Sequence, residues 1–242
     1  MADVDSEVST YSNSSRAMNR ERIKVSQHVA ASIAHELRNP VFAIASAARL
    51  LRYRITDDPV VETNIGRILR DAERLHSLVD ALLEYGRPAP LRLAPGDPDD
   101  IWTAVVASHT GELEARALLV HHTRATPHAS CGIDALEFSQ ACSNVLSNAI
   151  DAAPEGSDLT ITSTTNADGS WTSRLHNGGG PIAPDVLPQV FEPLVTNKPG
   201  HPGIGLAVVR RILTEHGGSV SISENDASGV TVMFTLPAAR HG

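Results

Sequence analysis

Two long amphipathic segments between residues 29 and 82 constrain the fold of this chain most strongly. In both, apolar residues recur at spacings of three and four, the period of one face of an α-helix. The first stripe consists of Val29, Ile33, Leu37, Val41, Ile44, Ala48 and Leu51, and the second of Ile65, Ile68, Ala72, Leu75, Val79 and Leu82. The pattern predicts two long helices, each with one apolar face.

A short turn separates the two predicted helices. Residues 56–59, Thr-Asp-Asp-Pro, supply an N-cap and a proline suited to the first turn of the second helix. Gly86 to Pro88 ends that helix, whereas Pro40 lies inside the first stripe and predicts a kink. The two helices then form an antiparallel hairpin. Because a lone hairpin leaves its apolar seam uncovered, we expect two chains to form a four-helix bundle; a coiled-coil spacer without chemistry is the alternative.

A second domain is predicted after a proline-rich joint. Residues 87–100 carry four prolines and predict a linker of limited flexibility. The patterns beyond it predict helices over 101–117, 134–153 and 203–215, a strand over 118–123, and hairpins over 159–176 and 220–236. Such an order is typical of a mixed α/β fold. The predicted organisation is a lead at 1–17 that is disordered or receives a signal, the hairpin at 18–86, the linker at 87–100 and the α/β domain at 101–242.

Composition excludes several classes of protein. Lys and Arg number 20 and Asp and Glu 28, and this formal charge of −8 argues against a protein that neutralises nucleic acid backbones. The chain has two cysteines, too few for a disulfide framework. No segment approaches the roughly 20 consecutive apolar residues of a membrane span. We therefore expect a soluble, cytoplasmic chain.

His35, Glu36 and Asn39 form the first candidate constellation. Because Leu37 and Val41 occupy the apolar stripe, the three polar side chains are predicted to point away from it. A solvent-facing imidazole can attack phosphorus through Nε2 when a carboxylate accepts a hydrogen bond from Nδ1. Asn39 lies one turn after Glu36, within reach of a phosphoryl group or a water molecule. Taken alone, an exposed histidine more often has no such role.

Asn144, Asn148 and Asp151 form the second constellation. Their spacing of i, i+4 and i+7 places them on one face of the helix predicted over 134–153. Three oxygen-bearing side chains suit a hard cation such as Mg²⁺. A solvated polar face is the alternative.

Two glycine runs form the third constellation. Asn177 to Pro181 follows a predicted strand, and Gly200 to Gly205 opens a predicted helix. Glycine lets the backbone approach a ligand closely, and the free N–H groups of a helix N-terminus favour phosphate. Neither run has the spacing of a Walker A loop or of a dinucleotide-binding fingerprint.

Taken in order, these segments resemble the transmitter module of two-component sensor histidine kinases. The resemblance covers about residues 18–237, and His-Glu-Leu-Arg-Asn-Pro at 35–40 is especially similar to the nitrogen-regulator-like branch. It implies an α+β multidomain protein, in which an antiparallel helical hairpin dimerises into a four-helix bundle and precedes an α/β sandwich of the GHKL ATPase type.

The resemblance also implies an activity. A homodimeric protein-histidine kinase would phosphorylate His35 from Mg²⁺ and ATP, with help from Glu36, and pass the phosphoryl group to an aspartate of a response regulator receiver domain. Asn39 would position water for dephosphorylation of that regulator, a second activity that the resemblance allows. The alternatives are a dimeric scaffold or phosphatase that does not use ATP, and an ATPase like gyrase, Hsp90 or MutL.

The nucleotide site implied by the resemblance is spread over several motifs. The resemblance implies that Asn177 and Gly179 bind adenine, and that Gly203, Gly205 and Leu206 bind the phosphates. It places Thr196 and Lys198 in the ATP lid. It also places Asn144, Asn148 and Asp151 on the helix, with Asn148 as the metal ligand.

Two of these residues depart from the family pattern. Asn177 stands where an aspartate accepts the adenine amino proton, and a neutral amide oxygen still accepts with roughly half the strength of an ionised one. Asp151 stands where many members carry a basic residue. Lys198, Arg210 or Arg211 is therefore expected to matter more for neutralising phosphate.

Overall fold

The computed structural model describes residues 34, 37–53, 55, 58–86, 91–196 and 203–239. These residues form two compact units, a helical hairpin and an α/β unit that contains residues 91–196 and 205–239. His35, Glu36, Lys198 and the predicted lead at 1–17 lie outside the described residues. No helix among those described is long and apolar enough to cross a bilayer.

The hairpin consists of α1 (residues 37–53) and α2 (Pro59–Gly86). The predicted start of the second helix is confirmed: the Asp58 carboxylate accepts hydrogen bonds from the N–H groups of Val60 and Val61 at 2.9 and 3.2 Å, and Pro59 is the first helical residue. Close to this start, Arg52 of α1 forms an ion pair with Glu62 of α2 at 2.6 Å. The two helices therefore meet as an antiparallel pair.

The α/β unit contains seven strands and four α-helices among its described residues. In chain order these are β1 (Ala94–Gly96), α3 (Pro98–Ser108), α4 (Thr110–Ala115), β2 (Leu119–Thr123), β3 (Cys131–Ile133), α5 (Ala135–Ala152), β4 (Asp158–Thr165), β5 (Trp171–Asn177), α6 (Gly205–Glu215), β6 (Ser219–Asp226) and β7 (Gly229–Leu236). Five strands form one sheet in the order β2-β4-β5-β7-β6, in which only β2 and β4 are parallel. β1 and β3 form a separate antiparallel pair.

One face of the large sheet is buried. Alternate residues of β4 are buried and exposed, as expected of a sheet covered by helices on one side. The core beneath α3 and α5 holds four aromatic rings: Trp102 stacks on Phe234 at 5.8 Å, and Phe138 contacts Trp171 edge-on at 5.9 Å. This arrangement confirms the predicted α/β sandwich and its two hairpins, β4–β5 and β6–β7.

The structure differs from the sequence-based expectations at three places. The three-residue strands β1 and β3 were not predicted, because strands this short carry no clear periodicity. The helix predicted over 101–117 is two helices that meet at His109, whose N–H bonds the carbonyl of Val106 in a tighter turn. Regular structure also begins inside the segment predicted as a linker, because Asp97 caps α3 and Pro98 opens it.

A buried histidine links the C-terminal end of α6 to the N-terminal end of α5. His216, directly after α6, accepts a hydrogen bond at Nε2 from the N–H of Asp134, the N-cap of α5, at 3.0 Å. Its Nδ1–H donates to the carbonyl of Ile212 at 2.8 Å. Asp134 also accepts the N–H of Arg92 at 2.8 Å, and this bond is the largest cause that holds the pKa of Asp134 below its usual range. Burial lowers the pKa of His216, outweighing the nearby carboxylates of Asp134, Glu137 and Glu215.

We expect the stability of the α/β unit to decrease as the pH falls below about 6.5. Below this pH His216 is protonated in the unfolded chain and neutral in the folded chain. The free energy of unfolding therefore falls by up to about 1.4 kcal/mol per pH unit, until the pH reaches the lowered pKa of His216 in the folded chain. The midpoint of urea unfolding, measured from pH 7.5 to 5, tests this. His216→Gln should flatten the profile relative to the wild type. Equal slopes for the two proteins would contradict the assignment.

Candidate functional site

Helix α5 presents the polar face that the sequence predicts. Asp134 caps its N-terminus by accepting the N–H groups of Leu136 and Glu137 at 3.2 and 3.3 Å. The apolar side of the helix, Phe138, Ala141, Cys142, Val145, Leu146, Ala149 and Ile150, is buried. On the other side Asn144 and Asn148 are half-buried and Asp151 is exposed.

The second glycine segment lies against this asparagine face. A Cβ at Gly205, the first residue of α6, would lie 3.8 Å from Nδ2 of Asn148 and 3.9 Å from Cβ of Asn144. Leu206 follows within the helix and is half-buried. The helix begins at residue 205 and not at Gly203 as predicted, because Gly203 has a φ of 68°, a left-handed conformation that a right-handed helix does not contain.

The first glycine segment lies at the other end of the same face. Asn177, the last residue of β5, is 4% exposed. Gly179 has a φ of 155°, and a Cβ there would lie 2.6 Å from the carbonyl oxygen of Ala152 and 3.4 Å from Nδ2 of Asn177. Only glycine permits this approach of the loop to the C-terminal residue of α5.

The structure therefore brings five of the predicted residues together along α5. They are Asn144, Asn148 and Gly205 near the middle of the helix, and Asn177 and Gly179 at its end. Thr196 is exposed at the end of the described segment that precedes residue 197. Asn39 is exposed on α1, in the hairpin unit. A helix N-terminus that faces amide side chains offers N–H donors and neutral oxygens to a phosphate-bearing ligand with its cation.

Arg211 does not take the phosphate-binding role that the sequence suggests. Its side chain is 3% exposed and donates to Glu215 and to Glu137 of α5, both at 2.9 Å. A buried guanidinium requires carboxylate partners. Because Arg211 is bonded to two of them, its guanidinium is not available to a ligand. The expectation for Arg211 is therefore wrong.

Arg210 has a carboxylate partner as well. Both of its terminal nitrogens donate to the Glu192 carboxylate at 3.0 Å, in a bidentate pair that ties the segment after Gln189 to α6. Sequence reasoning missed this contact because the two residues lie 18 positions apart and on different elements. Sequence reasoning also missed His109, whose Nε2 lies 3.2 and 3.3 Å from the hydroxyls of Ser143 and Ser147. The sequence offers one indication of this contact, since a serine directly precedes each of Asn144 and Asn148.

The α/β unit matches an ATPase family model. Residues 133–240 match the family model described as "Histidine kinase-, DNA gyrase B-, and HSP90-like ATPase". Residues 26–90 match the model described as "His Kinase A (phospho-acceptor) domain". Together the two models cover more than two thirds of the chain. The chain therefore carries a HisKA phospho-acceptor domain followed by an ATPase domain of this family, the two domains of a histidine kinase transmitter.

Curated relatives agree with this assignment. The sensor histidine kinase ZraS of Salmonella typhi is 28% identical over 90% of this chain and 47% of its own length. The sensory histidine kinase/phosphatase NtrB of Rhodobacter capsulatus is 29% identical over 87% of this chain and 62% of its own length. The chain thus spans about half the length of ZraS, and somewhat more of NtrB.

Solved structures share the fold. Full-length ShkA in complex with AMPPNP has a TM-score of 0.66 at 23% identity, over 90% of this chain and 47% of ShkA. The histidine kinase ThkA in complex with the response regulator protein TrrA has a TM-score of 0.65 at 24% identity, over 94% of this chain and 66% of ThkA.

We expect Gly179→Ala to destabilise the α/β unit by about 1–3 kcal/mol, because the added Cβ meets the carbonyl of Ala152 and the φ of 155° disfavours a side chain. Gly180→Ala is the matched control: nothing lies within 4 Å of a Cβ there, so the change should stay within about 0.5 kcal/mol. Urea unfolding of the full chain measures both. Equal stability of the two variants would show that the loop does not rest on α5 as described.

Proposed function

We propose that this chain is the transmitter of a sensor histidine kinase of the nitrogen-regulator-like branch, organised as a lead at 1–17, a phosphoacceptor hairpin at 18–86, a linker at 87–100 and a catalytic domain at 101–242. Within the linker, β1 and the first residues of α3 already belong to the α/β unit. The chain transfers the γ-phosphoryl group of ATP to His35 and then to an aspartate of a response regulator. The observation that carries the proposal is the position of Gly205, at the start of α6, against Asn144 and Asn148.

The ATP site lies along α5 between the two glycine segments. Gly203, Gly205 and Leu206 bind the phosphates through the N-terminus of α6. Asn177 and Gly179 contact adenine, and Asn177 accepts the amino proton through a neutral amide oxygen. Thr196 and Lys198 belong to the lid. Lys198 supplies positive charge to the phosphates, because Asp151 stands where many members of the family carry a basic residue. Support comes from the fold likeness to ShkA, whose structure contains AMPPNP.

The residues on α5 fit a hard cation. The amide of Asn148 lies beside the N-terminus of α6, with its Nδ2 3.8 Å from a Cβ built on Gly205, and Asn144 lies one turn before it. The oxygen of the same Asn148 amide is a neutral ligand for such a cation. Mg²⁺ commonly takes only one or two protein oxygens together with phosphates and water. Across the described parts of both units, no group of three or more His, Cys, Asp or Glu side chains is arranged to hold a metal by itself. Asn148 is the proposed ligand, and a bound Mg²⁺ would neutralise charge on the phosphates.

The phosphoryl transfer takes place at His35. Nε2 of the imidazole attacks the γ-phosphorus in line with the bond to the leaving oxygen, that bond breaks, and ADP departs. Glu36 accepts a hydrogen bond from Nδ1–H and stabilises the charge that develops on the ring. A carboxylate oxygen of the regulator then attacks the phosphorus, and the bond between phosphorus and Nε2 breaks. His35 thereby returns to neutral imidazole.

Asn39 supports a phosphatase activity toward the regulator. It lies four residues after the proposed phosphoacceptor and is exposed on α1. An exposed amide there can orient a water molecule toward a phosphorylated aspartate of a docked regulator. NtrB, which is named a kinase/phosphatase, is among the relatives of this chain.

Burial along the hairpin favours a homodimer. The apolar residues of the hairpin include two sets. The buried set is Ala34, Val41, Ala48, Ile65, Ala72 and Val79, and the set that is 41–50% exposed is Leu37, Ile44, Leu51, Ile68 and Leu75. The exposed set repeats every seven residues on both helices. A second copy covers such a seam by forming a four-helix bundle.

We expect the full chain to incorporate label from γ-labelled ATP, and His35→Gln to incorporate none, because the attacking nitrogen is absent. Gly205→Ala should reduce labelling at least about tenfold while preserving the fold. Its Cβ would make only ordinary contacts of 3.8–3.9 Å with the asparagines, and alanine is the better helix former, but the methyl group occupies space beside the phosphates.

Gly111→Ala is the control, since it also places alanine in a helix and nothing lies within 4 Å of its Cβ. Its labelling should equal that of the wild type. Labelling that survives in His35→Gln would overturn the phosphoacceptor assignment. ATP hydrolysis without any labelled protein would favour an ATPase of the gyrase type, and no ATP binding at all would favour a scaffold or phosphatase.

We expect Ile68→Asp to weaken the dimer about 100-fold, because each protomer buries this side chain, which is 41% exposed in the single chain, at the proposed interface. Sedimentation equilibrium measures the dissociation constant. Val60→Asp, at a 68% exposed position outside the seam, should leave it unchanged. A monomeric wild type, or equal effects of the two variants, would contradict the proposed interface.

A further inference from the structure

A side chain of β6 holds the loop that follows the proposed adenine-binding strand. The N–H of Ile182 donates to Oδ1 of Asn225 at 2.6 Å, and Nδ2 of Asn225 donates to the carbonyl of Ile182 at 3.0 Å. The amide thus bonds both backbone groups of one residue, as a neighbouring strand would. Ile182 lies three residues after Gly179, so this clamp, which we name the Asn225 clamp, holds the far end of the first glycine loop.

A glycine of the next strand supports the near end of the same loop. Gly229, the first residue of β7, has a φ of 140° and is buried. A Cβ there would clash with the carbonyl group of Asn177 and lie 3.1 Å from Cα of Gly178. The β6–β7 turn therefore touches the loop backbone directly, and only glycine allows that contact.

The two contacts enclose the residues that face the proposed adenine. Asn177 is nearly fully buried, and its Nδ2 donates to the carbonyl of Gly178 at 3.2 Å. The Asn177 backbone is held by β7 and by Gly229, Gly179 rests on the end of α5, and Ile182 is bound by the clamp. The loop has contacts on both sides, and its conformation depends on the β6–β7 hairpin as much as on α5.

We infer that Asn225 and Gly229 are positioning residues for nucleotide recognition, through which the β6–β7 hairpin holds the Asn177–Gly179 loop in the geometry that selects adenine over other bases. This inference rests on the proposed ATP site and names the element that sets its base selectivity. Neither residue needs to contact the nucleotide, since both act through the backbone of the loop. Discrimination between purines depends on the position of single hydrogen-bonding atoms, so a small shift of the loop affects selectivity before it affects the fold.

Asn225→Ala tests the inference, with Asn166→Ala as the matched control. Asn166 also makes two side-chain hydrogen bonds within a hairpin, to the hydroxyls of Ser170 and Thr172 at 3.0 and 2.9 Å, but it lies at the opposite end of β5 from Asn177. Displacement of a fluorescent ATP analogue from the full chain by ATP and by GTP gives two dissociation constants for each protein. The midpoint of urea unfolding is measured alongside.

We expect Asn225→Ala to reduce the preference for ATP over GTP about tenfold, mainly by weakening ATP, while Asn166→Ala keeps the wild-type ratio. Equal weakening of both nucleotides, or an unchanged ratio, would overturn the inference and leave Asn225 with a structural role. A wild type that binds ATP without preferring it to GTP would overturn it as well. Failure of the wild type to bind any nucleotide would instead refute the proposed ATP site, a result distinguishable from the others.

Discussion

The packing of α6 on α5 determines where the candidate site lies, and a buried arginine of α6 forms an ion pair with α5. Arg211 donates hydrogen bonds to Glu137 on α5 and to Glu215 on α6, and its planar guanidinium can donate to carboxylates only at defined positions. Removing either partner would leave charge buried without compensation, so the two helices hold one register. That register places Gly205, about 1.7 turns before Arg211, beside Asn144 and Asn148.

The other side of the site is held by a different kind of interaction. No ionic contact is needed where Gly179 meets Ala152, or where Asn225 bonds the backbone of Ile182. These contacts are short-range and directional, and they are lost if a backbone shifts by a fraction of an ångström. A charged network thus positions the phosphate side of the proposed site, while backbone contacts position the base side.

Periodic features of the sequence were sufficient to predict the hairpin helices, α5, its asparagine face and the two β-hairpins, because each depends on a local repeat. Contacts between distant positions were not predictable. Nothing near Arg211 in the sequence indicates that Glu137 will neutralise it, and Asn225 lies 43 residues from the loop it clamps. Pro98 was interpreted as part of a linker because a proline after an aspartate is typical of both a flexible joint and a capped helix start.

Asp134 connects the coil that precedes β1 to helix α5. It caps α5, and it also accepts the N–H of Arg92, in the coil where the chain enters the α/β unit. The backbone of Arg92 is therefore bonded to the N-cap of the helix that carries Asn144 and Asn148. A displacement of the chain at Arg92 would therefore act directly on α5, the helix of the proposed nucleotide site.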